Sequence, residues 1–471
     1  MSKNKKILVL GGGSTGLSVV LGLNENLKKN SFVIEKKNNV GGLAGSFTFD
    51  NDIIDYGPHR LSIEVPKIKK IAENLLGPNL LLKKSQHGVF YKNKIYQFPP
   101  RILDLFSLKT IWEGIRFFAS YLMGKFYGII SRFNEDNFKN VIIANFGNYF
   151  FEKIASPMSE KVWGDPNKID PTFVSQRFSL IKPKEIIKKI FFQKNLNPTN
   201  FYYPKFGGYQ AIWDAMCENI KKDGARVINN EEIYELEIYN NKITKVKTKN
   251  TATQSITDYD LSDGHVVSTI PVNYLIKSIK NKKFQDLNQL CSGIRYRSMF
   301  LVLFKFDQPK TLRFRTMIFP EKNIIFNRLF EQNQYSRYCV EKNKSLVIAD
   351  ITFDKDSNFI TKEEALERSK EDLKKIPGID YGKILQESIF LVEYAYVSPE
   401  TETKEKFFKI EKRLSEITNL SILGRFGIGE YDNSDYAIIN GLNLSEYLNS
   451  KIDKFEYDLL KNQNSNLTIL G

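Results

Sequence analysis

Residues Ile7-Leu8-Val9-Leu10 run straight into Gly11-Gly12-Gly13-Ser14-Thr15-Gly16, and this junction constrains the fold more than any other part of the chain. Four consecutive apolar residues read as a strand buried on both faces. The glycines then satisfy G-x-G-x-x-G, and Leu17 to Leu27 reads as the helix that follows. In such a turn the first glycine permits the tight bend. The second lets a pyrophosphate approach the backbone, and the third lets the helix pack on the strand. The helix N-terminus aims free N–H groups at phosphate charge. Ser31 to Glu35 reads as the second strand of a βαβ unit, and Glu35 follows Gly16 by 19 residues. A carboxylate there accepts both hydroxyls of a ribose, and it argues against a 2′-phosphate. The predicted nucleotide contacts are Gly11, Gly13, Ser14, Thr15, Gly16, Glu35 and Lys36.

The run past Glu35 separates two classes of dinucleotide. Gly41-Gly42-Leu43-Ala44-Gly45-Ser46 places a second glycine cluster just after the acidic residue, where NAD domains usually continue into helix. This arrangement resembles the FAD-binding class, in which such glycines pass the cofactor's ribityl and pyrophosphate portion. Gly42, Leu43 and Ala44 join the predicted contacts on that basis.

The chain has 471 residues, too many for one ordinary core. Residues 60–200 read as largely helical, including Ile102 to Phe106 and an amphipathic stretch from Leu108 to Phe133, with one hairpin at Gly88 to Pro100 around Lys92-Asn93. Residues 204–280 return to α/β texture: a helix from Gly207-Gly208 through Lys221, a strand at Ala225 to Ile228, a hairpin around Asn240-Asn241 and a strand at Val266 to Ile270. Residues 293–400 alternate strand-like runs with one helix, Lys362 to Lys375. A last strand at 419–425 and a last helix, Ala437 to Leu448, close the chain. The division expected is 1–62, 203–280 and 416–471 for the cofactor, and 63–202 and 281–415 for the substrate.

Net charge is +15, with Lys+Arg 69 against Asp+Glu 54. Such a surface draws anions, but no lysine block is long and pure enough for a nucleic-acid arm. Three histidines and three scattered cysteines supply neither a multi-histidine metal centre nor a disulfide framework, so metal independence is expected. The apolar N-terminal run is too short for a signal peptide, and no apolar run is long enough to span a membrane. A cytoplasmic protein is expected; the amphipathic stretch reads first as a helix capping the substrate pocket and second as a peripheral membrane contact. The sequence sets no oligomeric state.

Ordered motifs carry a family resemblance. After the fingerprint and Gly41-Gly42 come Asp55-Tyr56-Gly57-Pro58-His59-Arg60, Glu160-Lys161-Val162-Trp163-Gly164 and Tyr203-Pro204-Lys205-Phe206-Gly207-Gly208-Tyr209. Ile233, Val267-Ser268-Thr269-Ile270-Pro271, Gly424-Arg425-Phe426-Gly427 and Asn433-Ser434-Asp435 follow. The chain resembles the amine-oxidase-type FAD superfamily, which includes protoporphyrinogen oxidases, phytoene desaturases, monoamine oxidases and UDP-galactopyranose mutases. Coverage is strongest at residues 5–60, 203–271 and 420–445. Many relatives have an Asn-Met-Asp-like run where this chain has Asn433-Ser434-Asp435.

The resemblance implies an α/β (mixed α+β) fold: a Rossmann-like FAD domain with a parallel sheet, interleaved with a substrate domain of antiparallel sheet plus helices. It implies FAD as cofactor, with Gly57, Pro58, His59, Ile233, Gly424, Arg425, Ser434 and Asp435 beside it. The last helix would turn its N-terminus toward the flavin. His59, Arg328 and Arg177 are the catalytic candidates; Tyr91, Tyr296, Tyr394 and Tyr396 are candidate pocket aromatics. The leading expectation is hydride transfer from a bulky, anionic or lipid-linked small molecule to flavin N5. The alternatives are a redox-neutral sugar-nucleotide mutase resembling UDP-galactopyranose mutase, and a non-enzymatic module of the GDP-dissociation-inhibitor type.

Overall fold

Alternate residues of the first strand, Ile7–Leu10, face different cores. Ile7 and Val9 pack with Leu17, Val33, Trp213 and Leu442, whereas Leu8 and Leu10 pack with Ile34, Val246, Leu275 and Ile410. A strand covered on both faces needs apolar residues at every position, which is why this run is unbroken. The computed structural model describes residues 5–98, 111–130, 137–177, 200–357 and 359–465. The expectation for Ile102 to Phe106 lies outside them.

A five-stranded sheet carries this core, in the order Arg226–Ile228, Ser31–Ile34, Ile7–Leu10, His265–Ser268, Leu420–Ile422, and every pairing is parallel. Strand order reverses at Ile7–Leu10. In open parallel sheets, the crevice at the carboxyl ends of the strands beside such a reversal is the ligand site, and Gly11 to Gly16 sits there. Helices Ser14–Gly22, Gln210–Lys222 and Ser434–Leu448 supply residues to one face; helix Val272–Ser278 and a three-stranded sheet at 231–260 supply the other.

The second large sheet has seven strands, in the order Ile384–Val397, Tyr296–Phe306, Ser345–Asp354, Arg328–Glu331, Thr316–Ile318, His87–Tyr91, Lys94–Phe98. It is antiparallel except where Thr316–Ile318 meets His87–Tyr91. Phe300, Val302, Phe304 and Phe306 line one face with Phe90, Phe319 and Phe326.

Both predicted hairpins form. Lys92 and Asn93 have φ of 49° and 58°, and Asn240 and Asn241 have φ of 47° and 58°, the left-handed pair a two-residue hairpin turn requires. Two local expectations need correction, and one helix stands where none was assigned. The helix expected over Leu17–Leu27 breaks at Leu23, because the Asn24 side chain accepts from Leu27 N and starts a new helix, Glu25–Lys29. Leu80–Lys84 is a strand, because it pairs antiparallel with Asn200–Pro204; pairing overrides leucine's helical preference. A further helix, Thr401–Leu414, buries Thr403, Phe407, Ile410 and Leu414.

Helix Ser434–Leu448 crosses helix Ser14–Gly22 at very close range. A methyl group on Gly441 would sit 2.6 Å from the Thr15 carbonyl oxygen and 2.8 Å from Ser18 Cβ. The Gly441→Ala variant should lose about 1–3 kcal/mol of stability through overpacking. Chemical denaturation checks this; an unchanged midpoint would mean that the helices separate without cost.

Candidate active site

The fingerprint is built as its glycines require. Gly11 has φ +103°, and a methyl there would lie 2.4 Å from Thr269 Oγ1; one on Gly16 would lie 2.0 Å from the Gly11 carbonyl oxygen. Around Gly13, just before the Ser14–Gly22 helix, no atom lies within 4 Å of where a methyl would go. That opening leaves room for a phosphate to reach the helix N-terminus. The second glycine turn is tied to the first, since Gly41 N donates to Gly12 O at 2.8 Å. Trp213 Nε1 donates to Ala44 O at 2.6 Å and Gln210 Nε2 to Val40 O at 3.0 Å, holding this turn onto the Gln210–Lys222 helix.

Glu35 is buried at the carboxyl end of the second strand. It accepts from Gly12 N at 2.8 Å and Lys37 N at 2.9 Å. Two backbone amides orient the carboxylate beside the glycine turn. Lys36 points elsewhere: its ammonium pairs with Glu232 at 2.8 Å and lies over the Tyr274 ring. Ile233 packs against the core that holds Leu8, Leu10 and Ile34.

A second group of residues gathers around His59. Its ring stacks on Tyr209, centroids 5.1 Å apart. The Tyr209 hydroxyl lies 2.7 Å from Ser434 Oγ, and Ser62 N donates to Asp435 Oδ1 at 3.1 Å. His59, Ser434 and Asp435, separated by nearly the whole chain, are thus brought together. His59 Nδ1 is buried and has no hydrogen-bond partner among the described residues. Burial, with the charges of Arg425 and Arg328, pushes its pKa down to about 3, so the ring is neutral. Burial raises Asp435 to about 6.

Asp55 holds this group in place. Its carboxylate accepts from Ser46 Oγ at 2.6 Å, Tyr203 OH at 2.7 Å and Tyr209 N at 3.1 Å, and Gln332 Nε2 donates to the same Tyr203 oxygen at 2.8 Å. Asp55 and Tyr209 sit in the segments Asp55–Arg60 and Tyr203–Tyr209, but no local pattern links the two.

Arginines supply the charge. Arg328 Nε donates to buried Asp350 at 2.7 Å, and Nη2 contacts the same oxygen. Burial opposes its charge, but Asp350 outweighs that and holds the guanidinium above its ordinary value. Arg425, at the start of a turn opened by Gly424 (φ +78°), donates to the Asp432 carbonyl and lies over Tyr431 at 4.7 Å and Tyr396 at 5.8 Å. Tyr396 and Tyr431 stack with an interplanar angle of 9°. Arg60 Nη1 lies 3.0 Å from His87 Nε2, and Arg315 donates to the carbonyls of Lys84 and Gln334. Lys161 Nζ donates to three carbonyls, those of Phe319, Glu321 and Phe326, and burial lowers its pKa to about 7. Tyr296 and Tyr394 pack edge to face on one another, and burial beside Tyr149 raises the Tyr91 hydroxyl above its ordinary value. The Arg177 side chain lies outside the described residues.

These features fit a flavin dinucleotide: an open helix N-terminus, an oriented carboxylate beside it, and a neutral histidine with a spare nitrogen at the far end. The histidines also set a pH dependence. Burial first, then neighbouring cations, lowers His59, His87 and His265 to about 3. Below about pH 6.5 the unfolded chain binds protons at these rings and the native chain does not, so stability is full above that pH and falls toward pH 3. The slope is at most about 1.4 kcal/mol per pH unit for each ring. Urea midpoints between pH 7.5 and 5 should show it, and His87→Gln should remove part of the slope; equal slopes would mean that His87 is protonated in the native protein.

Residues 23–409 match the family model for flavin-containing amine oxidoreductases. Reduced UDP-galactopyranose mutase superposes with a TM-score of 0.81 at 17% identity, covering 98% of both chains. A putative protoporphyrinogen oxidase from Exiguobacterium sp. 255-15 gives 0.69 at 16% identity over 96% of this chain and 100% of that one. Putrescine oxidase bound to putrescine gives 0.62 at 12% identity over 95% and 99%. The fold shared with these structures, and a family match over most of the length, agree with the geometry: the chain belongs to the flavin-containing amine oxidoreductase family and is an FAD-dependent enzyme.

Proposed function

We propose that the enzyme acts on a small anionic molecule, and that its reaction is a redox-neutral rearrangement of a sugar nucleotide, of the kind named in its structural neighbour UDP-galactopyranose mutase. The observation that carries this reading is the gathering of cations around His59. Arg425 and Arg328 act on His59, and Arg60, Arg315 and Arg328 act on His87. Arg315 donates to backbone carbonyls, those of Gln334 and Lys84. Guanidinium groups bind diphosphate oxygens through paired N–H donors. A site for an uncharged or cationic substrate gains nothing from burying them together.

Glu35 and the Gly13–Gly16 helix start would hold the nucleotide end of FAD, and His59, Tyr209, Ser434 and Asp435 would flank its ring system. FAD there supplies the electron-rich ring nitrogen when reduced and a hydride acceptor when oxidised. The protein's part is binding and orientation. Arg328 is fixed by Asp350 and Arg425 by Asp432, so each presents its remaining donors in a set direction. His59 is neutral and offers a hydrogen bond rather than a proton. Tyr396 and Tyr431 wall the space beside Arg425.

A second reading, net oxidation with hydride passing to the flavin, is supported by the family match and by the protoporphyrinogen and putrescine oxidase neighbours. Under it, the arginines would bind a carboxylate of the substrate.

Two measurements follow. Glu35→Gln should weaken FAD binding by about tenfold or more, since a charge-assisted hydrogen bond contributes roughly 1.5–3 kcal/mol; flavin retained equally through gel filtration would remove Glu35 from the cofactor site. UDP added to the purified flavoprotein should perturb the flavin absorbance, and Arg328→Lys should weaken that binding about tenfold by removing the planar fork. With a UDP-sugar, the dithionite-reduced enzyme should form an isomer without oxygen uptake. No response to UDP, together with oxygen-dependent turnover of another substrate, would replace the mutase reading with the oxidase one.

A further inference from the structure

Helix Ile111–Ile130 has two contrasting sides. Its inner side packs tightly: a methyl on Gly124 would lie 2.3 Å from the Ile143 carbonyl oxygen, and Lys125 Nζ donates to Asn145 at 3.0 Å. Its outer side shows Trp112, Ile115, Phe118, Leu122, Met123 and Phe126, each at least 45% exposed, with Trp112 at 73%. Their spacing lays them along one stripe of the helix. A contiguous apolar stripe on the surface marks an interaction site.

We propose that this stripe docks on an anionic lipid bilayer and holds the enzyme at a membrane surface without crossing it. Among the described residues no helix is long and apolar enough to cross one, whereas an aromatic-rich apolar stripe suits insertion at the headgroup boundary. Charge favours an anionic surface. Glu113 is the sole acidic residue between 111 and 130. It pairs with Lys92 and with Arg116 and accepts from Tyr149 OH at 2.7 Å. Lys92 and Arg116 together outweigh its single negative charge, and Lys94 is exposed on the hairpin that carries Lys92. The chain as a whole carries +15. A second copy of the chain is the poorer occupant. Fifteen helical residues make a stripe roughly 22 Å long and about 10 Å wide, far below the roughly 800 Å² per partner that a stable protein interface buries.

The protein carries its own probe. Of its three tryptophans, Trp163 and Trp213 are 5% and 0% exposed, leaving Trp112 as the exposed indole. The holoenzyme should co-sediment with phosphatidylcholine vesicles containing about 30% phosphatidylglycerol, but not with phosphatidylcholine alone, and its tryptophan emission should shift to the blue. Phe118→Glu combined with Phe126→Glu should lower the bound fraction about tenfold, with flavin absorbance confirming the fold. Lys92→Glu combined with Arg116→Glu should also release the protein and leaves the stripe intact. Equal sedimentation of either variant and the wild type, or equal binding to neutral vesicles, would overturn the proposal. So would a blue shift that grows with protein concentration in the absence of lipid, which would identify a second copy as the occupant.

Discussion

Asp55 is fully buried, and its charge is met by two hydroxyls and a backbone amide: Ser46, Tyr203 and Tyr209 N. A buried carboxylate held this way accepts only one arrangement of its donors, because losing any of them leaves charge uncompensated in a medium that cannot solvate it. The donors come from the second glycine turn and from the segment that opens the Gln210–Lys222 helix. One side chain therefore sets how the segments around Ser46 and Tyr203–Tyr209 meet. Tyr209, fixed through its own amide, then sets the plane against which His59 lies.

The site's electrostatics follow a division of labour. Near the glycine turn, the charged group is an acid oriented by amides, suited to neutral hydroxyls. Around His59 the charges are guanidinium groups. Arg328 and Arg425 each have an aspartate that fixes direction, whereas Arg60 and Arg315 lean on His87 and on carbonyls. Burial keeps His59 and His87 neutral among these cations, which avoids adding like charge where it would be most costly. The family match says what cofactor the enzyme uses; the proposed anionic substrate rests on the arginines.

Much of this was legible along the chain wherever function is written in contiguous residues. The strand, glycine turn and Glu35 form one local pattern, and both hairpins were marked by residue pairs that tolerate positive φ. What escaped reading depended on distant partners. Asp55 and Tyr203 are 148 positions apart, and no local window connects them. Leu80–Lys84 has a leucine-rich run that a helix would equally accept; only its partner strand decides. The Thr401–Leu414 helix is a different case, since Thr403, Phe407, Ile410 and Leu414 repeat at helical spacing and the signal was present. Lys36 follows Glu35 in sequence, but it answers to Glu232, a residue of the neighbouring sheet. The candidate roles of His59, Arg328 and Arg177 rest on chemistry that only experiment assigns.

The central strand of the parallel sheet is made before its partners: its neighbour His265–Ser268 and the helix that packs on its glycine turn come hundreds of residues later. At about 5–20 residues per second, roughly 20–80 s separate synthesis of Gly16 from synthesis of Ser434. Through that interval an unbroken run of apolar residues has no finished surface to join. Helix Ser434–Leu448 supplies Ile438 and Leu442 to the face of that strand carrying Ile7 and Val9, and helix Lys454–Ser465 follows it. A nascent chain cut short before Ser434 would leave that face part-covered, a natural target for chaperone binding or proteolysis.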